Sequence, residues 1–250
     1  MSEGDSRRRM AGRIALVTGA SRGFGRALAL GLAREGAHVI AVSRTVGALE
    51  ELDDEIGAAG GSATLVPLDL NEPASLDGLA APLAERWGRL DILVANAAIL
   101  GRLTPTPQIP PELFQQALNV NLTANWRLIR ALDPLLRAAP QGRALFITSG
   151  VTRKLPAYWA TYSVTKAALE ALVMTYAQEV ERTNLRVNLF NPGPMRTKMR
   201  AQAFPGENPD TLPEPEALTA AALALVSDDC RLHGAWVAGD QSPPAGTSRH

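Results

Sequence analysis

The chain has 250 residues and is 46% hydrophobic, ample for one well-buried core, and a single α/β domain of this size is ordinary. Its 25 basic residues balance 25 acidic ones, which leaves no broad field to attract nucleic acid or an anionic membrane and favours a small-molecule partner. A lone cysteine, Cys230, excludes an internal disulfide and suits a cytoplasmic setting, and no uninterrupted apolar run approaches the length that spans a bilayer.

Residues 1–10 read as a disordered polar tail that carries Arg7, Arg8 and Arg9, with a targeting signal as the alternative. A single domain is expected over 11–241, followed by a short tail over 242–250. Strand Ile14–Val17 leads into helix Phe24–Glu35, and strand His38–Ser43 into helix Ala48–Ala59. Strand Ala63–Leu68 precedes helix Ala74–Trp87, and strand Asp91–Ala95 precedes the long helix Pro111–Ala139. Strand Ala144–Thr148 is followed by helix Thr161–Thr183, strand Arg186–Phe190 by helix Glu216–Ser227, and Ala235–Ala238 is the last strand. Several strands are apolar continuously rather than alternately, as when both faces are buried. Strands separated by helix-length patterns predict βαβ units: a doubly wound, Rossmann-type α/β domain with a seven-stranded parallel sheet and helices on both faces. The stretch 192–215 breaks the rhythm, with Pro192, Pro194, Pro205, Pro209, Pro213 and Pro215. It reads as a substrate-covering lid or, alternatively, as a surface excursion.

After the first strand comes Thr18-Gly19-Ala20-Ser21-Arg22-Gly23-Phe24-Gly25, and then a helix. Glycines let the backbone turn sharply and approach a ligand, and a helix start offers unpaired N–H groups and a positive dipole end to phosphate oxygens. An isolated cluster of this kind could be an ordinary tight turn; between the first strand and helix of a βαβ unit, the pyrophosphate reading wins. The second strand ends in Ser43-Arg44, where dinucleotide sites use an acid to bind the adenosine ribose. With Ser43 in the acid's place, Arg44 and Arg22 are expected to converge on a 2′-phosphate through paired, charge-assisted hydrogen bonds. NADP(H) is therefore expected over NAD(H), the alternative being that both arginines only face solvent.

Tyr162 and Lys166 stand four residues apart, on one helical face. A lysine ammonium about 4 Å from the phenol, at an effective dielectric of about 20, favours the phenolate by about 4 kcal/mol. That would bring a group with an ordinary pKa near 10 close to neutrality. The bland alternative is an interfacial tyrosine beside a solvated lysine.

Taken with these motifs, the chain resembles the short-chain dehydrogenase/reductase family from about Arg13 to Asp240. The resemblance rests further on Asp69 after the third strand, Ala95-Asn96-Ala97-Ala98 after the fourth and Val120-Asn121-Leu122. Ser149, thirteen positions before Tyr162, and Asn191-Pro192-Gly193 complete it. Met195–Arg200 and Ala203–Pro205 resemble the bacterial YciK-type subgroup. The family implies Tyr162 as general acid or base, Ser149 on the carbonyl oxygen, and Lys166 on the nicotinamide ribose hydroxyls. It implies Asn121 as anchor of a water between Lys166 and solvent. Asp69 with Leu70 would meet the adenine, Asn96 and Ala97 the adenosine-side ribose region, and Pro192, Gly193 and Thr197 the carboxamide or a phosphate. Two departures stand out: the usual N-N-A-G reads Ala95–Ala98, and Asp240–Pro244 replaces a glycine-rich finish.

A small carbonyl or secondary alcohol substrate is expected, walled by Ile99–Thr104, by Val151–Trp159 and by 192–215. Met195, Met199 and Phe204 would make the last segment apolar inside. Arg196, Lys198 and Arg200 would greet an anionic group or simply face solvent. The long helices over Pro111–Ala139 and Thr161–Thr183, the latter with Ala167, Ala168, Ala171 and Ala177, resemble subunit-pairing helices of the family and imply a homodimer or homotetramer. The rival readings are a catalytically silent NADP(H)-binding sensor or scaffold, and an epimerase or dehydratase that regenerates its cofactor.

Overall fold

The computed structural model describes residues 8–239. Seven strands form one parallel sheet: β1 (Ile14–Thr18), β2 (His38–Ser43), β3 (Ser62–Pro67), β4 (Ile92–Ala95), β5 (Arg143–Ile147), β6 (Arg186–Asn191) and β7 (Ala235–Ala238). Their order is β3-β2-β1-β4-β5-β6-β7, and every neighbouring pair is parallel. Continuous apolar runs have a simple cause here. Successive side chains of a strand point to opposite faces, and both faces are covered. Ala15 and Val17 of β1 enter one core layer, and Ile14 and Leu16 the other. The same split holds in β2 (Val39 and Ala41 against Ile40 and Val42) and in β5 (Leu145 and Ile147 against Ala144 and Phe146).

The first layer is closed by α1 (Gly23–Arg34), α2 (Val46–Ala58) and α10 (Thr219–Val226), through Leu28, Leu32, Leu52 and Leu223. The second is closed by α4 (Ala80–Trp87), α6 (Ala124–Ala138) and α8 (Ala160–Glu179), through Leu83, Leu132 and Leu169. Each fully buried leucine of this kind contributes about 1.5–3 kcal/mol relative to exposure.

The structure differs from expectation where a helix is interrupted. Helix Ala74–Trp87 is two, α3 (Pro73–Asp77) and α4, parted at Gly78, which caps the first. Within Pro111–Ala139, α5 (Pro111–Leu118) passes into α6 through a π-helical turn, Asn119–Thr123. The proline-rich stretch is not irregular throughout, since it carries α9 (Lys198–Ala203) and a short 3-10 turn at Pro209–Thr211. The expected disordered tail is also wrong at its described end. Met10 is fully buried, its N–H bonds the Glu35 carbonyl, and Arg9 forks onto the Glu35 carboxylate at 2.7 and 3.1 Å. The rest of that tail, 1–7, and the tail over 242–250 lie outside the described residues. Among the described residues no helix is long and apolar enough to cross a membrane.

The topology fixes where a ligand can sit. The chain reverses its direction of travel across the sheet between β1 and β4, and the crevice beyond their carboxyl ends is the switch point. The glycine turn, Asn96 and Ser149 all follow strands there, beyond β1, β4 and β5.

Candidate active site

The turn after β1 has the geometry its composition predicts. Gly19 and Gly23 adopt φ of +67° and +55°, a region that favours glycine. A Cβ on Gly25 would collide with the Gly19 carbonyl and the Asn96 amide. Asn96 is locked in place: its side chain donates to the Thr18 carbonyl at 3.0 Å, while the Thr18 hydroxyl accepts from the N–H groups of Asn96 (3.0 Å) and Ala97 (3.1 Å). No side chain caps the start of α1, whose N-cap residue Arg22 is exposed. Uncapped N–H groups behind a glycine cradle at a switch point suit a pyrophosphate, so these residues fit a dinucleotide. The Phe24 ring stacks on Phe190 at 6.0 Å in the core, which leaves only its backbone for a ligand, and Ser21 is half-buried in the turn. Thr197 caps α9 and lies over Gly23, with its methyl 3.3 Å from where a Cβ would stand. Pro192 is buried, and Gly193, at φ +81°, has open space beside it.

At the adenosine end, Ser43 is buried and accepts from the Thr45 N–H at 3.3 Å. Arg44, 58% exposed, pairs with Asp69 at 3.6 Å. It is thus held against the Asp69 carboxylate, while Arg22 stands exposed at the helix start. Leu70 packs its side chain into the core.

Ser149, Tyr162 and Lys166 do come together. Tyr162 is almost wholly buried, and the Ser149 hydroxyl lies near enough to pull its phenol down against the effect of burial. Burial pushes the phenol up to about 12, the larger effect of the two. Lys166, also buried, donates to the Ile147 carbonyl at 2.7 Å and lies 5.9 Å from the Tyr162 ring centroid. Burial pulls its ammonium down to about 8, and Glu170 acts the other way. The expected lowering of the tyrosine by the lysine is therefore reversed in the protein alone. The ammonium is engaged elsewhere, and desolvation of the phenolate dominates.

Asn121 is fully buried in the π-helical turn. Its amide accepts from the Ile99 N–H at 2.8 Å and donates to the Ile99 carbonyl (2.9 Å) and the Thr165 hydroxyl (3.0 Å). With both amide protons engaged, the side chain is a brace between α8 and the segment after β4 rather than a free donor for water. Its backbone carbonyl accepts from Asn125 at 2.8 Å. π-helical turns free or redirect backbone groups in this way and occur often at functional sites.

One residue escaped the sequence reading. Glu170 Oε1 accepts from Thr148 (2.6 Å), Thr152 (2.9 Å) and the Trp236 indole (2.9 Å), and Thr152 also reaches the Ser149 carbonyl at 3.0 Å. It ties the Ser149 loop to α8 and β7. The available signal was its position one turn after Lys166 on a predicted helix.

Above Tyr162, Leu100, Val151, Leu103, Trp159, Met199 and Ala203 form a third apolar cluster. Tyr158, 59% exposed with φ +73°, is not part of it. Arg196 pairs with Asp210 and Glu214, and Arg200 with Glu207, so these arginines are not free to greet an anion.

A profile of the short chain dehydrogenase family matches residues 13–208. The chain is 38% identical over 222 residues to the oxidoreductase YciK of Escherichia coli K12, covering 88% of each. It is 35% identical to an NAD-dependent oxidoreductase of Mycobacterium tuberculosis CDC 1551, covering 75% of this chain and 73% of the relative. Among solved structures, a short chain dehydrogenase of Shigella flexneri 2a complexed with NADP superposes with a TM-score of 0.91 at 34% identity, over 94% of this chain and 100% of that one.

Proposed function

The chain belongs to the short-chain dehydrogenase family of oxidoreductases, and from that premise we propose that it transfers a hydride between NADP(H) and a small carbonyl or secondary alcohol, with Tyr162 as general acid and base. The observation that carries this reading is buried Tyr162 within 5.9 Å of buried Lys166 and beside Ser149, at the carboxyl ends of β1, β4 and β5. The dinucleotide supplies the hydride, or accepts it; the protein supplies placement and electrostatics. Gly19, Ser21, Gly23, Phe24 and Gly25 present backbone to the pyrophosphate, and Arg22, Ser43 and Arg44 receive the 2′-phosphate. Asp69 and Leu70 border the adenine, Asn96 and Ala97 the adjoining ribose, and Pro192, Gly193 and Thr197 the carboxamide end.

In reduction, Tyr162 donates its proton to the carbonyl oxygen while the Ser149 hydroxyl donates a hydrogen bond to the same atom. The phenolate left behind is held by Ser149 and by the charge of Lys166, whose ammonium also reaches the ribose hydroxyls. In oxidation the same groups run in reverse. NADP(H) is favoured over NAD(H) because Ser43 presents no carboxylate to repel a 2′-phosphate and Arg44 stands beside it. The NADP-bound Shigella relative supports this choice.

The test is NADPH consumption against a carbonyl panel, with Tyr162→Phe beside the wild type. The variant retains NADPH binding by calorimetry and loses about 10²–10⁴ in turnover. Equal turnover removes Tyr162 from the reaction, and binding without any turnover favours the sensor reading. We also propose a homodimer or homotetramer, supported by exposed Val164 of α8 and Trp126 of α6, 47% and 44% accessible on neighbouring helices. A monomeric mass by light scattering at micromolar concentration would count against it.

A further inference from the structure

We propose that the substrate is an uncharged carbonyl compound with a flat apolar body, aromatic or alicyclic, held against Trp159 beside α9. The inference rests on the oxidoreductase reading above and names the substrate class of that site.

Tyr162 packs among apolar side chains drawn from several segments. Leu100 and Leu103 come from the segment after β4, Val151 from α7 (Val151–Lys154), Trp159 from the residue before α8, and Met199 and Ala203 from α9. A substrate carboxylate or phosphate pressed against these apolar side chains would lose hydration without gaining a partner from them, a placement that opposes binding.

Cations do lie close by, on α9 and the residues flanking it, but each arginine is neutralised from within the same segment. Arg200 forks onto Glu207 with both bonds at 2.6 Å, and its guanidinium lies 3.8 Å from the Phe204 ring centroid. Arg196 reaches Asp210 at 2.6 Å, Glu214 at 2.8 Å and the Pro209 carbonyl at 3.0 Å. Lys198, at the start of α9, is exposed to solvent. These pairs fold the segment upon itself, and recruiting either arginine to an anion would require breaking them.

The aromatic residues run in series toward the chemistry. Arg200 covers Phe204, Phe204 lies 5.6 Å from Trp159, and Trp159 meets Tyr162 edge-on at 6.2 Å. A flat ring can extend this series by offset stacking on Trp159 while its carbonyl faces Ser149 and Tyr162. It gives up little conformational freedom on binding, unlike a flexible chain. Met199 is unbranched and polarizable and can adapt to the ring's far edge.

The test uses matched pairs and the whole protein with NADPH. Benzaldehyde and cyclohexanone are compared with 4-formylbenzoate and 2-oxobutanoate by kcat/KM, and benzyl alcohol is compared with 4-(hydroxymethyl)benzoate by tryptophan fluorescence titration of the NADP-loaded protein. The neutral member of each aromatic pair should be preferred about 100-fold, as expected when a buried charge finds no partner. Phe204 is partly exposed, so Phe204→Leu leaves the fold intact; it should lower kcat/KM for benzaldehyde by about 3- to 10-fold through lost stacking and leave NADPH affinity unchanged. Equal or better use of 4-formylbenzoate overturns the substrate class and leaves the oxidoreductase reading standing. An unchanged kcat/KM in Phe204→Leu overturns the role of the aromatic series. Tight NADPH binding with no carbonyl consumed in either set overturns the oxidoreductase reading itself, and the substrate class with it.

Discussion

Lys166→Met should make the protein more stable at neutral pH while removing its activity, and the size of the gain follows from burial. The Lys166 ammonium is buried, and its pKa falls from an ordinary 10.5 to about 8. At ~1.4 kcal/mol per pH unit, holding that charge inside costs the folded state about 3 kcal/mol at pH 7. Methionine fills nearly the same volume without a charge, but it leaves the Ile147 carbonyl without the 2.7 Å bond that Lys166 donates, a loss of about 1 kcal/mol. The expected net gain is about 2 kcal/mol. The pH dependence identifies the cause. Between about 8 and 10.5 the unfolded chain holds a proton on Lys166 that the folded chain has released, so wild-type stability rises with pH through that window and the full cost is present below it. The variant lacks this rise, so its advantage should close by about 2 kcal/mol between pH 7 and pH 9.5. Urea unfolding of both proteins at the two pH values, followed by tryptophan fluorescence, measures it. A variant no more stable than wild type at pH 7, or an advantage that ignores pH, would refute the argument that Lys166 is held charged at the fold's expense.

Arg44→Asp replaces a cation paired with Asp69 by a second carboxylate beside it, so NADPH affinity should fall by at least about tenfold while NADH affinity rises, both read by calorimetric titration. An unchanged preference would mean that Arg44 only faces solvent. Glu170→Gln keeps an acceptor for Thr148, Thr152 and Trp236 but removes the charge from all three bonds. The urea midpoint should fall by the equivalent of about 1–3 kcal/mol, and a wild-type midpoint would show that the carboxylate is not what ties these elements together.

Most of the sheet was legible because a parallel sheet covered on both faces forces its strands to be apolar without interruption, and few other structures do. β1, β4 and β5 are buried at every position. Edge strand β3 is only half-buried, yet its short aliphatic stretch and the helix-length spacing on either side mark it as well. The interruptions were harder. A π-helical turn adds one residue to a helix and changes no residue type, so Asn119–Thr123 leaves no periodic mark in a pattern that is apolar on one side throughout. The prolines of 192–215 read as obstacles to structure, yet Pro209 is the first residue of a 3-10 turn, and Thr197 caps α9 by accepting from the Arg200 N–H at 3.2 Å.

The site divides along a different line. Steric requirements are written in residue types, so the glycine turn could be located and its positive φ angles anticipated. Electrostatic ones are not, because the sign of a pKa shift depends on how much water a group retains. Four residues of helical spacing put Tyr162 and Lys166 on one face, but only the fold shows that both are buried, and burial pushes their pKa values apart by favouring both neutral forms: the phenol up to about 12 and the ammonium down to about 8. In that state Tyr162 keeps its proton at neutral pH and is ready to act as an acid. To act as a base it needs more positive charge nearby than Lys166 provides from its place on the Ile147 carbonyl. On the proposed reading, an oxidised nicotinamide would supply such a charge, and Tyr162 would serve as a base only with the dinucleotide in place.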